Sequence, residues 1–189
     1  MPIRAIIFDC FGVLLANTLQ YWTDQLSDAD AETFHALTRA ADAGIISEQE
    51  ATKERAALLG IPTDELAQGF YQGEVPNTAL IEAIRTLKKQ YKIGLLSNIS
   101  SRERIESRLP EGLLDELFDS ITVSGEVGAI KPDAQIYQYA AHSLGVLPEE
   151  CIMVDDIEEF CHGAEAIGMQ SIHFRTTAQA LDELRRHLD

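Results

Sequence analysis

Cations are scarce in this chain of 189 residues: 15 Lys and Arg stand against 31 Asp and Glu, a formal net charge of −16. A surface that acidic excludes the broad basic face that a nucleic-acid backbone requires. Cysteine is also sparse. Cys10, Cys151 and Cys161 are the three present, with no CxxC pair and no zinc-ligand spacing, so neither a disulfide framework nor a structural zinc site is expected. Their odd number, with no signal segment at the start, points to reduced thiols and a cytoplasmic setting. We read Cys10 and Cys151, at predicted strand ends, as packing residues. Long apolar runs are missing, which argues against a membrane span. No internal repeat or low-complexity tract interrupts the chain.

What is present suffices for a globular core. Hydrophobic residues make up 46%, and the length allows one substantial core with a small second lobe. Short apolar runs predict strands at 4–9, 92–97, 120–124, 151–155 and 170–174. Between them, helical spacing predicts helices at 77–90, 102–109, 133–144, 158–167 and 177–188. Asn77 or Thr78 is the expected cap of the first, and Gly145 the stop of the third. This alternation predicts an α/β fold with a doubly wound parallel sheet. Residues 16–75 break it. They hold no strand, and helices are expected at 17–26, 28–43, 47–59 and 63–72, with Ser47 and Glu50 spaced as a capping box.

Polar groups stand where the apolar runs end. Ile6-Ile7-Phe8 runs into Asp9, then Cys10-Phe11-Gly12. Leu95-Leu96 runs into Ser97-Asn98, and Ile152-Met153-Val154 into Asp155-Asp156. Lys131-Pro132 lies between the last two. The crevice beyond the carboxyl ends of such strands is where ligands bind in open α/β sheets. Read singly, Asp9 is a turn residue, Lys131 an exposed lysine before proline, and Ser97 or Ser100 a helix cap. Asp156 alone reads as the cap of helix 158–167, and Glu158 and Glu159 as acids of its first turn.

Taken in chain order, Asp9, Ser97, Lys131 and Asp155-Asp156 resemble the haloacid dehalogenase superfamily of hydrolases, across almost the whole chain. The resemblance implies a Rossmann-type core of residues 1–15 and 76–189, with a small helical cap at 16–75 over the crevice. It implies that Asp9 is the nucleophile, forming a covalent intermediate that water resolves. Lys131 and Ser97 steady phosphoryl oxygens, with Asn98 as a further substrate contact. Three carboxylates around one point repel unless a cation joins them, and Mg²⁺ suits oxygen ligands. The expected ligands are Asp9, the backbone carbonyl of Phe11, and Asp155, with Asp156 as a ligand or its close support. The implied partner is a small phosphate ester hydrolysed with Mg²⁺, not a nucleic acid or a membrane; oligomeric state is open.

Phe11 departs from the pattern. Most phosphatases of this superfamily carry a second Asp two residues after the nucleophile, where it protonates the leaving oxygen and later activates water. Phenylalanine does neither, and loss of a general acid–base group typically removes about 10²–10⁴-fold in rate. Three readings follow. A phosphatase acts on an ester with a good leaving group, with Asp156 or an unidentified group activating water. A 2-haloacid dehalogenase needs no proton for its halide and resembles this chain in an aromatic residue at that position, but the Asp155-Asp156 pair and Val13 argue against it. A binding or regulatory protein has kept the fold and lost turnover. The acidic cluster favours the first.

Within 16–75, His35, Arg39, Lys53, Arg55 and Tyr71 are candidates to reach a substrate, Arg39 or Arg55 by holding a second anionic group. Trp22 with Tyr21 is expected to pack between the two lobes or line the entrance. Arg102, Arg104 and Arg108 read as a solvated helix face. His142, His162 and His173 are given no catalytic part.

Overall fold

The computed structural model describes residues 1–188. In chain order it contains β1 (Ala5–Phe8), α1 (Leu19–Thr23), α2 (Asp28–Asp42), α3 (Glu48–Leu59), α4 (Thr63–Gly73) and α5 (Thr78–Leu87). Then come β2 (Lys92–Ser97), α6 (Arg102–Glu106), α7 (Leu113–Leu117), β3 (Ser120–Val123), α8 (Ser124–Val127) and α9 (Ala134–Ser143). A 3₁₀ turn (Pro148–Glu150), β4 (Cys151–Asp155), α10 (Glu158–Glu165), β5 (Gln170–His173) and α11 (Thr177–Leu188) complete it.

All five strands pair in parallel, in the order β3-β2-β1-β4-β5. The chain starts at the centre, builds outward to β3, then returns to place β4 on the other side of β1. That reversal makes the carboxyl ends of β1 and β4 the switch point, where such sheets open a crevice. Register puts Ile6 beside Ile93 and Ile152, and Phe8 beside Leu95 and Val154. These side chains share one face and pack with α5, α7 and α11 through Leu80, Ile84, Leu117 and Leu184. Ala5, Ile7 and Met153 point to the other face and meet Ile136, Tyr137 and Ala140 of α9 and Ala164 of α10. Helices thus cover both faces, as central strands of continuous Ile, Leu and Val require.

The five predicted strands agree with those observed to within a residue at each end. Asn77 caps α5 by accepting from Leu80 N at 3.1 Å, and the Ser47–Glu50 capping box closes α3. The two short helices α7 and α8 and the 3₁₀ turn were not expected from the pattern; elements of 3–5 residues are too short to display a helical period.

Helices α1–α4 pack around a cluster of their own: Trp22, Phe34, Ala56, Leu66 and Phe70. Trp22 sits within this cluster, 6.2 Å from Phe70, rather than between the two layers or at an entrance. Arg55 is also interior, 1% exposed. It lies between the rings of Phe34 and Phe70 and pairs with Glu48 at 2.5 Å, so it is a structural cation of the insertion and not a substrate contact.

Two polar ties hold the insertion to the sheet. Buried Ser124 donates to the carbonyl of Asp42 at 2.5 Å and accepts from Ile99 N at 2.8 Å. Buried Glu74 receives Arg104 at 3.1 Å and Arg108 at 2.7 Å, and Arg104 also reaches Glu48 at 3.5 Å. Arg104 and Arg108 therefore turn inward, contrary to the solvated face expected of them. A buried carboxylate needs cations, and Glu74 lies 30 residues from Arg104 in sequence, too far for any local pattern. Arg102 alone stays outward, paired with Glu106 and Asp115. Among the described residues no helix is long and apolar enough to cross a membrane.

Candidate active site

Asp9 leaves β1 at the switch point, its N–H held by Val154 O at 2.9 Å. Asp155 is the last residue of β4, one strand away, and Asp156 follows it. Carboxylate oxygens of these three lie within 4.8 Å of one another. Lys131 Nζ enters from the loop before α9 and donates to Asp9 Oδ1 and Asp155 Oδ2, each at 2.6 Å. Lys131, Asp9 and Asp155 are all buried.

One lysine faces three carboxylates, and the electrostatics follow. Burial pushes the Asp9 carboxyl up to about 8; Asp155 and Asp156 add to the rise and Lys131 opposes it. Burial and Asp155 raise Asp156 to about 6. Burial works against the Lys131 charge, but Asp155 and Asp9 overcome it and hold its pKa above the usual value. Asp156 Oδ1 is buried with no hydrogen-bond partner among the described residues. A Cβ at Gly12 would fall on the Asp156 carboxylate, and Gly12 has φ +104°, so the turn after β1 is shaped to admit that side chain. A surplus of hard oxygen donors with an orphaned oxygen is a donor set that fits a Mg²⁺ ion. Asp156 does not cap α10. Ile157 occupies the N-cap position, and Asp155 accepts from Ile157 N at 2.9 Å.

Asn98 is committed to Lys131: its amide donates to Lys131 O at 3.0 Å and accepts from Lys131 N at 2.8 Å. The side chain thus fixes the lysine's backbone, leaving the neighbouring Ser97, buried at the end of β2, to line the crevice. Neither Ser97 nor Ser100 caps the following helix; Ser101 occupies that position. Phe11 is half-buried, its ring 5.2 Å beneath the Arg104 guanidinium. His173 ring Nε2 meets the Asp156 carbonyl at 3.0 Å, a support the sequence did not suggest and that the pairing of Asp155 with His173 explains.

Asp9, Phe11, Ser97, Asn98 and Lys131 open onto a cavity of about 360 Å³, within the ordinary range for small-molecule sites. Its far side is α2. His35, Thr38, Arg39 and Asp42 line it, at spacings that put them on one helix face, while Phe34 packs in the insertion's core. Leu19, Ile130, Ile157 and Phe160 supply apolar wall. Of the insertion residues singled out in sequence, His35 and Arg39 reach the cavity; Lys53 and Tyr71 are exposed and do not line it. Thr38 and Asp42 were missed, although the 35/38/39/42 spacing was there to read.

A phosphatase of Mycobacterium tuberculosis, MT3486, is 33% identical over 137 residues, 72% of this chain and 60% of that protein, so the match falls short of that relative's full length. The sesquiterpene phosphatase astK of Aspergillus oryzae is 28% identical over 97% of this chain and 95% of its own. A haloacid dehalogenase family enzyme of Bacteroides thetaiotaomicron, solved as a magnesium complex, superimposes with a TM-score of 0.78 at 18% identity, over 98% of this chain and all of that one. The family model of haloacid dehalogenase-like hydrolases matches residues 3–168, and this chain belongs to that family.

Proposed function

We propose that this protein is a Mg²⁺-dependent phosphomonoesterase acting on a small metabolite through an aspartyl-phosphate on Asp9. The observation that carries this reading is the cluster of Asp9, Asp155 and Asp156 around a single lysine. A dehalogenase has no use for that much negative charge, whereas a divalent cation is held by it and in turn offsets the charge of a phosphoryl group. The relatives named as phosphatases and the neighbour solved with magnesium agree with it.

In this reading Asp9, Asp155, the Phe11 carbonyl and Asp156 would hold the ion, which would offset phosphoryl charge when bound. Asp9 presents an oxygen to phosphorus. Lys131 favours the ionised form of that carboxylate against its burial and balances charge on the phosphoryl oxygens, and Ser97 donates to one of them. Asn98 holds Lys131 in register. The helical insertion serves as a cap: α2 forms the leaving-group side of the cavity and shields the phosphoryl site from bulk solvent.

The test is a rapid acid quench during turnover, followed by peptide mass analysis. A phosphoryl adduct on the peptide carrying Asp9, formed only with Mg²⁺, supports the assignment. Turnover with no adduct at any time, unaffected by Asp9→Asn, refutes it.

A further inference from the structure

The cavity holds a carboxylate with no work in the reading above. We propose that Asp42, delivered by the helical insertion, is the general acid–base of this active site, taking the part that Phe11 cannot. This rests on the phosphatase reading.

Asp42 is the last residue of α2, where the helix dipole disfavours a negative charge. Asp42 lines the cavity onto which Asp9, Ser97 and Lys131 open. It is held only by burial and distant charge. The groups acting on it are Arg104 of α6, Glu48 and Arg55 of α3, and Lys131; no hydrogen bond to its carboxylate is found among the described residues. Both arginines are engaged elsewhere, Arg104 on Glu74 and Arg55 on Glu48. An unpaired carboxylate so placed lowers stability and suggests function. Burial, acting ahead of these charges, pushes its pKa up to about 7, where one group gives and takes a proton at neutral pH.

Its position is fixed independently. The Ser124 hydroxyl ties the Asp42 carbonyl to the backbone of Ile99, one residue from Asn98 and two from Ser97. The end of α2 is thereby locked to the loop carrying the phosphoryl-binding residues. His35 and Glu159 also line the cavity, but neither has such a tie.

The steps balance. As Asp9 Oδ bonds to phosphorus, the ester P–O bond breaks; its electron pair stays on the leaving oxygen, which takes the Asp42 proton. Alcohol departs, leaving aspartyl-phosphate and an Asp42 carboxylate. That carboxylate then removes a proton from water as the water oxygen bonds to phosphorus. The bond to Asp9 breaks, releasing phosphate and restoring protonated Asp42 and ionised Asp9.

The experiment compares wild type and Asp42→Asn, with Mg²⁺, on an alkyl phosphate and on 4-nitrophenyl phosphate, whose leaving group needs no proton. We expect alkyl turnover to fall by about 10²-fold or more. With the aryl ester, the first turnover stays fast and later ones slow, giving a burst of nitrophenolate. Asp42→Glu, which restores a carboxyl group, recovers part of the alkyl activity and guards against misfolding of the amide variant. Equal loss on both esters without a burst, or no loss on either, overturns the assignment while leaving an active, Asp9-dependent wild type intact. A wild type that hydrolyses neither ester overturns the phosphatase reading and Asp42's part with it.

Discussion

Lys131 Nζ and Asp9 Oδ1 are 2.6 Å apart, both side chains buried, across 122 residues of sequence. The same ammonium holds Asp155 at 2.6 Å. Removing it should therefore do more than slow the chemistry. Breaking a buried pair from one side costs about 3–5 kcal/mol, and here two carboxylates lose their cation. Lys131→Met is expected to lower Tm markedly and to abolish turnover, with part of the Tm loss regained by added Mg²⁺. Thermal melts with and without Mg²⁺ check this.

Proton linkage sets a pH dependence. Asp9 and Asp156 titrate near 8 and 6 in the folded chain, against 3.8 ordinarily, and Asp42 near 7. Between these values the folded chain binds more protons than the unfolded one, so these groups lower stability progressively as pH rises from about 4 to about 8. Mg²⁺ bound to the cluster offsets the part due to Asp9 and Asp156. The increase in Tm on adding Mg²⁺ is expected to be larger near about pH 8 than near about pH 5.

Gly12 permits the Asp156 carboxylate to lie against the turn after β1. Gly12→Ala meets that carboxylate and also strains a backbone at φ +104°. The expected outcome is a raised Mg²⁺ requirement for activity, by about tenfold or more, as for lost support of a metal site. A Mg²⁺ titration of turnover measures it.

Asn98 contributes two hydrogen bonds to the Lys131 backbone. Asn98→Ala is expected to lower stability by about 1–3 kcal/mol and to reduce kcat more than it raises KM, because it displaces the lysine rather than a substrate contact. Denaturant melts and steady-state kinetics separate the two effects.

Asp42→Asn should behave oppositely in stability. An amide of the same shape removes an unpaired, half-buried charge, so Tm near about pH 8 is expected to stay level or rise, by about 2–4 °C per kcal/mol gained, even as turnover falls. Loss of function with gained stability is the pattern of a strained active-site group.

The strands and most helices were legible because each carries its own period or a local stop signal. Ile6-Ile7-Phe8 reads as central strand without knowledge of its neighbours, and Ser47 with Glu50 as a helix start. The clustering of Asp9, Ser97, Lys131 and the Asp155-Asp156 pair was legible for a related reason: Asp9, Ser97 and Asp155 close strands, and a parallel sheet brings those ends together. What escaped depends on contacts between distant segments. Arg104 and Arg108 look like surface residues until α4 places Glu74 between them. Arg55 looks like a ligand-binding arginine until Phe34 and Phe70 enclose it. Asp42 acquires meaning only when Ser124, 82 residues away, pins it beside the crevice.

The central claim is tested most directly by phosphate release from an aryl phosphate, with Mg²⁺ or with EDTA, by wild type and Asp9→Asn side by side. The account predicts turnover that requires both Mg²⁺ and Asp9. Turnover surviving either removal would contradict it, as would its absence under every condition while a 2-haloacid loses halide without metal.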